Sequence, residues 1–357
     1  MTEPDRRDPG GEASFRSTGR RRRLLVLLLL APLVAGVLAA VMLAVYVRQE
    51  LSAPLAPGTD LVTIERGQSL QGVARMLKRR GIIDEPYSMR IYARLAGISS
   101  RIKAGQYRFE DGITQYGILD KLVAGDVVRY QVQFIEGWTF REMREALYAH
   151  PELEHRTLDL GDGEVMNALG LPGEHPEGRF FPDTYVFTAG DSDIDVLTRA
   201  HRAMEQVLDE AWRNRAEGLP LSGSYEALIL ASIIEKETGL GEERETIAGV
   251  FVNRLRRGMR LQTDPTVIYG IGESFDGNIR RRDLTADTPY NTYTRSGLPP
   301  TPIAMPGRAS ILAAVRPEET PYLYFVSRGD GSHHFSATLE EHNRAVRKYQ
   351  LGRRSGG

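Results

Sequence analysis

Residues 225–239 read YEALILASIIEKETG. The segment has the pattern of a helix of almost wholly apolar residues that ends in Glu235, Lys236 and Glu237. Leu228, Ala231, Glu235 and Thr238 share one face at i, i+3, i+7 and i+10, because side chains three and four positions apart stack on a helix. Glu235 thus extends the buried stripe, while Lys236 and Glu237 point elsewhere. A carboxyl at the edge of an apolar surface loses hydration, which favours its neutral form. A neutral Glu near pH 7 is what a general acid requires. The same helix end also suits an ordinary salt bridge, and this segment alone does not choose between the two.

Downstream, Ile247, Val250, Phe251, Arg254 and Leu255 recur at helical spacing before Gly258. The polar run of residues 260–270, RLQTDPTVIYG, follows. It gathers Gln262, Thr263, Asp264, Thr266 and Tyr269 at the end of a well-anchored helix, where a loop can hold a site. Asp264-Pro265 equally builds a plain turn. Residues 288–307, TPYNTYTRSGLPPTPIAMPG, carry five prolines and two glycines, which forbid a regular element. A loop of that length is uncommon unless functional. Tyr290, Asn291, Thr292 and Tyr293 offer the amides, hydroxyls and aromatic faces that bind sugars.

Upstream, residues 194–215 read as a long amphipathic helix with Leu197, Met204, Leu208, Ala211 and Trp212 inward. Residues 150–178 look irregular. Thr139 with Glu142 forms a capping-box pattern, as does Thr338 with Glu341. Residues 127–135 read as a strand, and 114–124 as a short helix. Tyr322–Ser327 and His333–Ser336 flank Arg328-Gly329-Asp330-Gly331, a hairpin signal. Between residues 60 and 110 the order is strand, helix, helix, strand. Ser69 caps the first helix, and Pro86 opens the second, which carries Tyr87, Ile91 and Leu95.

The N-terminal part is of another kind. Residues 24–47, LLVLLLLAPLVAGVLAAVMLAVYV, hold no charge. As a helix they extend about 36 Å, enough to cross a hydrocarbon core of about 30 Å. Arg20 to Arg23 precede them, so the positive-inside rule keeps the N-terminus in the cytoplasm and exports the rest. A cleaved signal peptide is the rival reading, but its apolar region is usually shorter. Residues 1–23 read as a cytoplasmic tail, 48–59 as a linker and 351–357 as a disordered tail. A coil of about 12 residues would reach roughly 20 Å.

The chain of 357 residues holds 46 Lys+Arg and 47 Asp+Glu, a net charge of −1, with 41% apolar residues. It is long enough to bury a real core. The near-neutral balance gives no reason to expect a nucleic-acid partner. That total hides unlike parts: 7 Arg against 4 acids in residues 1–23, and 39 basic against 43 acidic residues after position 47. With no Cys there is no disulfide, thiolate zinc site or cysteine nucleophile. His333, His334 and His342 match no zinc spacing, and no metal or other cofactor is expected. Ser232 has no evident His and Asp partners, and no phosphate-binding glycine motif occurs.

The segments LILASIIEKETG, VFVNRLRRGMRLQTDPTVIYG, TPYNTYTRSGLPPTPIAMPG and PYLYFVSRGDGSHHFSATLEEHN, together with EGWTFREM at 136–143 and EGRFFPDTYVF at 177–187, resemble the MltG/YceG-like family of endolytic murein transglycosylases. The resemblance covers residues 60–350. It implies an α+β fold with one N-terminal transmembrane helix, a LysM-like βααβ module at 60–110 and a catalytic domain at 111–350. It implies non-hydrolytic cleavage of the MurNAc-β-1,4-GlcNAc bond, leaving 1,6-anhydro ends and terminating nascent strands. The implied partners are peptidoglycan strands, the cytoplasmic membrane and peptidoglycan synthases. The family's catalytic glutamate falls on Glu235. Gln262, Asp264, Thr266, Tyr290, Asn291 and Thr292 are the candidates for contacting substrate or orienting Glu235. Glu237 and Asp264 are available as second carboxylates, and a water activated by Asp264 would make the protein a muramidase. A glycan-binding scaffold with a dead site is the non-catalytic alternative.

Overall fold

The computed structural model describes residues 17–58 and 61–351. The expected cytoplasmic tail up to residue 16 and the C-terminal tail from residue 352 lie outside them. The chain divides into two compact units, one ending at Val128 and one beginning at Arg129.

The first unit opens with helix α1 (Ser17–Ser52). Its stretch Leu28–Ser52 has a mean hydropathy of 2.7 and is long and apolar enough to cross a membrane. Its large apolar side chains between Leu28 and Tyr46 are exposed. The helix does not stop where the uncharged run stops. Val47 packs on the unit's core and Leu51 is fully buried in it. Leu55 exchanges backbone hydrogen bonds of 2.7 Å with Gly112 and Ile113. The segment expected to be a free linker is therefore partly helical and bonded to the module that follows.

That module is built from β1 (Leu61–Ile64), α2 (Leu70–Arg79), α3 (Pro86–Leu95) and β2 (Gly105–Arg108). β1 and β2 pair antiparallel, with Val62 opposite Tyr107. The Ser69 hydroxyl caps α2 by accepting from Gly72 N–H. Val62, Val73, Leu77, Met89 and Tyr107 are completely buried, each large aliphatic contributing about 1.5–3 kcal/mol. On α3 the buried residues are Pro86, Ser88, Met89 and Ala93, while Tyr87, Ile91 and Leu95 are exposed. The helix turns the smaller set inward. Helix α4 (Gln115–Ala124) adds Ile118, Leu119 and Leu122 to the same core, which carries the unit past residue 110.

In the second unit β3 (Arg129–Gln133) pairs antiparallel with β4 (Thr184–Thr188). α5 (Phe140–Tyr148) begins with the expected capping box. The 150–178 stretch is not wholly irregular, for it contains α6 (Asp162–Ala168). α7 (Asp193–Arg213) packs one core at its start and another at its end. The first core joins Val132, Phe140, Met143, Phe180 and Phe187. The second surrounds α8 (Ser224–Glu237), whose residues Ala227 to Ile234 are all buried. Around it lie α9 (Arg244–Arg256) and the short α10 (Asp264–Ile271) and α12 (Arg308–Val315), with α11 (Arg281–Thr285) against α10. The hairpin of β5 (Tyr324–Ser327) and β6 (His333–Ser336) pairs Phe325 with Phe335. α13 (Leu339–Val346), capped by Thr338, leads into a π-helical turn at Arg347–Leu351 that ends the described chain.

Candidate active site

Helix α8 is apolar enough to be buried all round, and burial brings its last turn against three other segments. Ser232 lies in the core, where its hydroxyl donates to Ile229 O at 2.7 Å and accepts from Ile303 N–H at 3.0 Å. This uses up the hydroxyl and pins the 288–307 loop along the helix. Two residues on, Met305 exchanges backbone hydrogen bonds with Gly137 (2.8 Å) and Trp138 (2.7 Å). Two further on, Gly307 N–H donates to Glu235 Oε2 at 2.9 Å. The irregular loop is thus a regular ladder of attachments that delivers one backbone donor to the Glu235 carboxylate.

The Glu235 side chain is 8% exposed, and the Arg244 guanidinium, at the start of α9, stands 4.0 Å from its other oxygen. Lys236 turns away and its ammonium donates to Gly137 O at 3.1 Å. The Glu136 carboxyl shares this corner. Burial and the nearby Glu235 charge raise its pKa, with Arg244 acting the other way. Glu136 opens the EGWTFREM stretch, but nothing local in that stretch marks it as a neighbour of Glu235.

The polar candidates downstream form a second cluster, joined to the helix at Glu237. The Thr263 hydroxyl donates to Glu237 Oε1. Burial pushes the Glu237 carboxyl up to about 6, while that hydroxyl draws it down. Thr266, Asn291 and Thr292 are buried. Thr266 and Thr292 share a hydroxyl–hydroxyl bond of 2.9 Å, and Thr292 Oγ1 accepts from Thr263 N–H at 3.1 Å. The Asn291 amide donates to the carbonyls of Asp283 and Ala286. These three side chains clasp one loop to the other. Tyr290 bonds Thr301 at 2.8 Å and meets Tyr269 edge to face. Asp264 is exposed and accepts from the Tyr293 hydroxyl at 2.6 Å. It begins α10, with Pro265 in its first turn, so the run read as a loop is a helix N-terminus.

Gln262 is the one described non-glycine residue with a positive φ, 51°, a conformation that costs roughly 1–2 kcal/mol. It is held there from both sides. The buried Arg254 donates to Leu261 O at 2.7 Å, and Gln262 N–H donates to Thr292 O at 3.2 Å. The Gln262 side chain itself is exposed.

Two clefts open at this end of α8. One, of about 980 Å³, is lined by Lys236, Phe140, Glu177, Tyr269, Tyr290 and Ile303 among others. Glu177 is 4% exposed and accepts from Phe140 N–H and the Tyr269 hydroxyl, both at 3.0 Å. Burial pushes it up to about 7 against both bonds. The other cleft, of about 450 Å³, is lined by Glu237, Gln262, Asp264, Tyr293 and His333 among others. Among the described residues, no group of three or more His, Asp and Glu is placed to hold a metal ion. The groups immediately around Glu235 are the Glu136 carboxyl, the Arg244 guanidinium and the Gly307 N–H, a set suited to proton transfer.

Residues 62–348 match the YceG-like family. The chain belongs to this family. It is 32% identical over 305 residues to an endolytic murein transglycosylase of Bacillus subtilis (strain 168), covering 81% of this chain and 84% of that one. It is 25% identical over 322 residues to the endolytic murein transglycosylase of Streptococcus pneumoniae (serotype 2, strain D39), covering 81% of this chain and 58% of that one. A crystal structure of a YceG-like protein from Listeria monocytogenes gives a TM-score of 0.52 at 31% identity, over 81% of this chain and all of that one.

Proposed function

We propose that this protein is a peptidoglycan lytic transglycosylase in which Glu235 performs the proton transfers. The observation that carries the reading is the Glu235 carboxyl, 8% exposed, at the end of a helix buried from Ala227 to Ile234 and aimed by a backbone N–H. Membership of the YceG-like family and the names of its relatives support the substrate class.

In the reaction, Glu235 gives a proton to the glycosidic oxygen between MurNAc C1 and GlcNAc C4. The C1–O bond breaks, and that oxygen leaves as the GlcNAc hydroxyl. The muramoyl C6 hydroxyl closes on C1 and its proton returns to Glu235. A 1,6-anhydro end forms, and no water is consumed. One carboxyl serves both transfers because the nucleophile belongs to the substrate, whereas a hydrolase needs a second carboxylate to direct water or to form a covalent intermediate. Gln262, at the exposed tip of a strained turn, and Asp264 are assigned to hold the glycan. Thr266, Asn291 and Thr292 are assigned to shape the loops beneath.

Helix α1 is assigned as an uncleaved membrane anchor, with Arg20 to Arg23 on the cytoplasmic side and the remainder exported. An enzyme tethered there suits termination of strands beside the peptidoglycan synthases. The βααβ module is assigned as a LysM-like glycan-binding unit. The deciding experiment is mass spectrometry of digested glycan strands. Anhydro ends are expected, and their loss on Glu235→Gln. Reducing ends would make the protein a muramidase, and near-normal cleavage by Glu235→Gln would remove Glu235 from the reaction.

A further inference from the structure

Two carboxyls meet at Gly307. Its N–H donates to Glu235 Oε2, and a Cβ built on its Cα would fall 1.9 Å from Glu136 Oε1. Only a glycine lets the Glu136 carboxyl lie where it does. The other side of the corner is in ordinary van der Waals contact. A Cβ on Gly137 would stand 3.8 Å from Glu235 Cγ and 3.7 Å from Lys236 Cδ, and the Lys236 ammonium holds Gly137 O. Residues 136 and 137 therefore rest directly on residues 235 and 236.

The surroundings of Glu235 are those of an acceptor, with an amide N–H on one oxygen and a guanidinium 4.0 Å from the other. The reaction proposed above nevertheless asks it to give a proton. We propose that Glu136 is a positioning carboxyl that holds the proton Glu235 donates, the two carrying one proton between them. The inference rests on the lytic reading of Glu235. Before cleavage, Glu136 passes its proton to Glu235 and becomes the carboxylate. Glu235 delivers that proton to the leaving oxygen, then receives the C6 hydroxyl proton, and the pair again holds one. No proton is gained or lost, and no co-reactant is needed.

The charges facing Glu136 agree with this. From α8 come Glu235 and Lys236, the latter directed at Gly137 O; from α9 comes Arg244. The 303–307 segment presents only apolar side chains and backbone. Glu136 itself is exposed, and the Lys236 ammonium is bonded to Gly137 O, so the two carboxylates have the Arg244 guanidinium as their close countercharge; that imbalance is one a retained proton removes. The raised pKa of Glu136 has these causes: burial first, then the charge of Glu235.

The test is the pH profile of kcat/KM for glycan cleavage by the full chain in detergent micelles, with Glu136→Gln and Glu136→Asp. Gln keeps the shape of the corner but holds no exchangeable acid proton. Its alkaline limb is expected about one pH unit lower, the scale at which coupled sites interact. That is about tenfold lower activity at pH 8, narrowing toward pH 5, and Asp should bring the limb back. A Gln profile parallel to the parent's, whether equal or uniformly lower, overturns the proposal, as does a failure of Asp to restore the limb. A change of products from reducing to anhydro ends in Glu136→Gln would make Glu136 a water-activating base and also overturn it. Glu235→Gln, run alongside, separates the failures: its activity tests the reading of Glu235, and the Glu136 profiles test the pair.

Discussion

Replacing Glu177 by Gln should flatten the pH dependence of the second unit's stability. Glu177 is 4% exposed, and burial lifts it from 4.5 to about 7. The folded protein therefore keeps a proton that the unfolded chain has already lost. The stability tied to that proton is full below about pH 4.5 and is lost as pH rises through about 7. At about 1.4 kcal/mol per pH unit, the whole loss is about 3 kcal/mol. Most of it falls between pH 5 and 8. Gln preserves the packing: its carbonyl accepts from Phe140 N–H, and its amide donates to the Tyr269 hydroxyl, which can rotate to accept. Urea unfolding of the full chain, followed by tryptophan fluorescence, reads this unit alone, because Trp138 and Trp212 both belong to it. The parent should lose about 2–3 kcal/mol more than Glu177→Gln between pH 5 and pH 8. Parallel stability curves for the two proteins would refute the reasoning.

Gly307→Ala sets a methyl into the space of the Glu136 carboxyl; cleavage should fall about 100-fold, the usual effect of displacing a reacting group by about 1 Å, with the unfolding midpoint little changed. Gln262→Gly removes the positive-φ strain, so stability should stay within about 1 kcal/mol of the parent while kcat/KM for glycan falls; a larger loss of stability would make the side chain structural. Leu51→Ala empties a fully buried site in the first unit and should cost that unit about 2–5 kcal/mol, measured by hydrogen exchange of β1 and β2. Unchanged protection there would show that α1 is not part of the module's core.

What could be read from the sequence was local. Ser69, Thr139 and Thr338 announce their helices because a cap and the turn it serves are neighbours in the chain. The α8 stripe was legible because eight successive buried residues, Ala227 to Ile234, leave Glu235 at its edge. Helix α6 was hidden by its Gly161 start and glycine-rich surroundings. On α3 two apolar sets run along the helix, and that the larger one faces outward is set by packing the local sequence does not show. The carboxyl pair was not legible at all. Glu136 reaches Glu235 only after β3 and α8 have folded, across 99 residues in the case of Lys236 and Gly137. Glu-Gly pairs occur at 136–137, 177–178 and 217–218, and nothing local singles out the first.

The last turn of α1 does not end in a flexible joint. Leu51 is 0% exposed inside the module, and the backbone at Leu55 is tied to Gly112 and Ile113. A helix whose end is built into a folded core transmits torque as well as position. Turning α1 about its axis turns the module with it, and tilting α1 tilts it. The module is mounted on the helix as on a bracket rather than a leash, and its standoff is a length set by packing instead of an average over coil conformations.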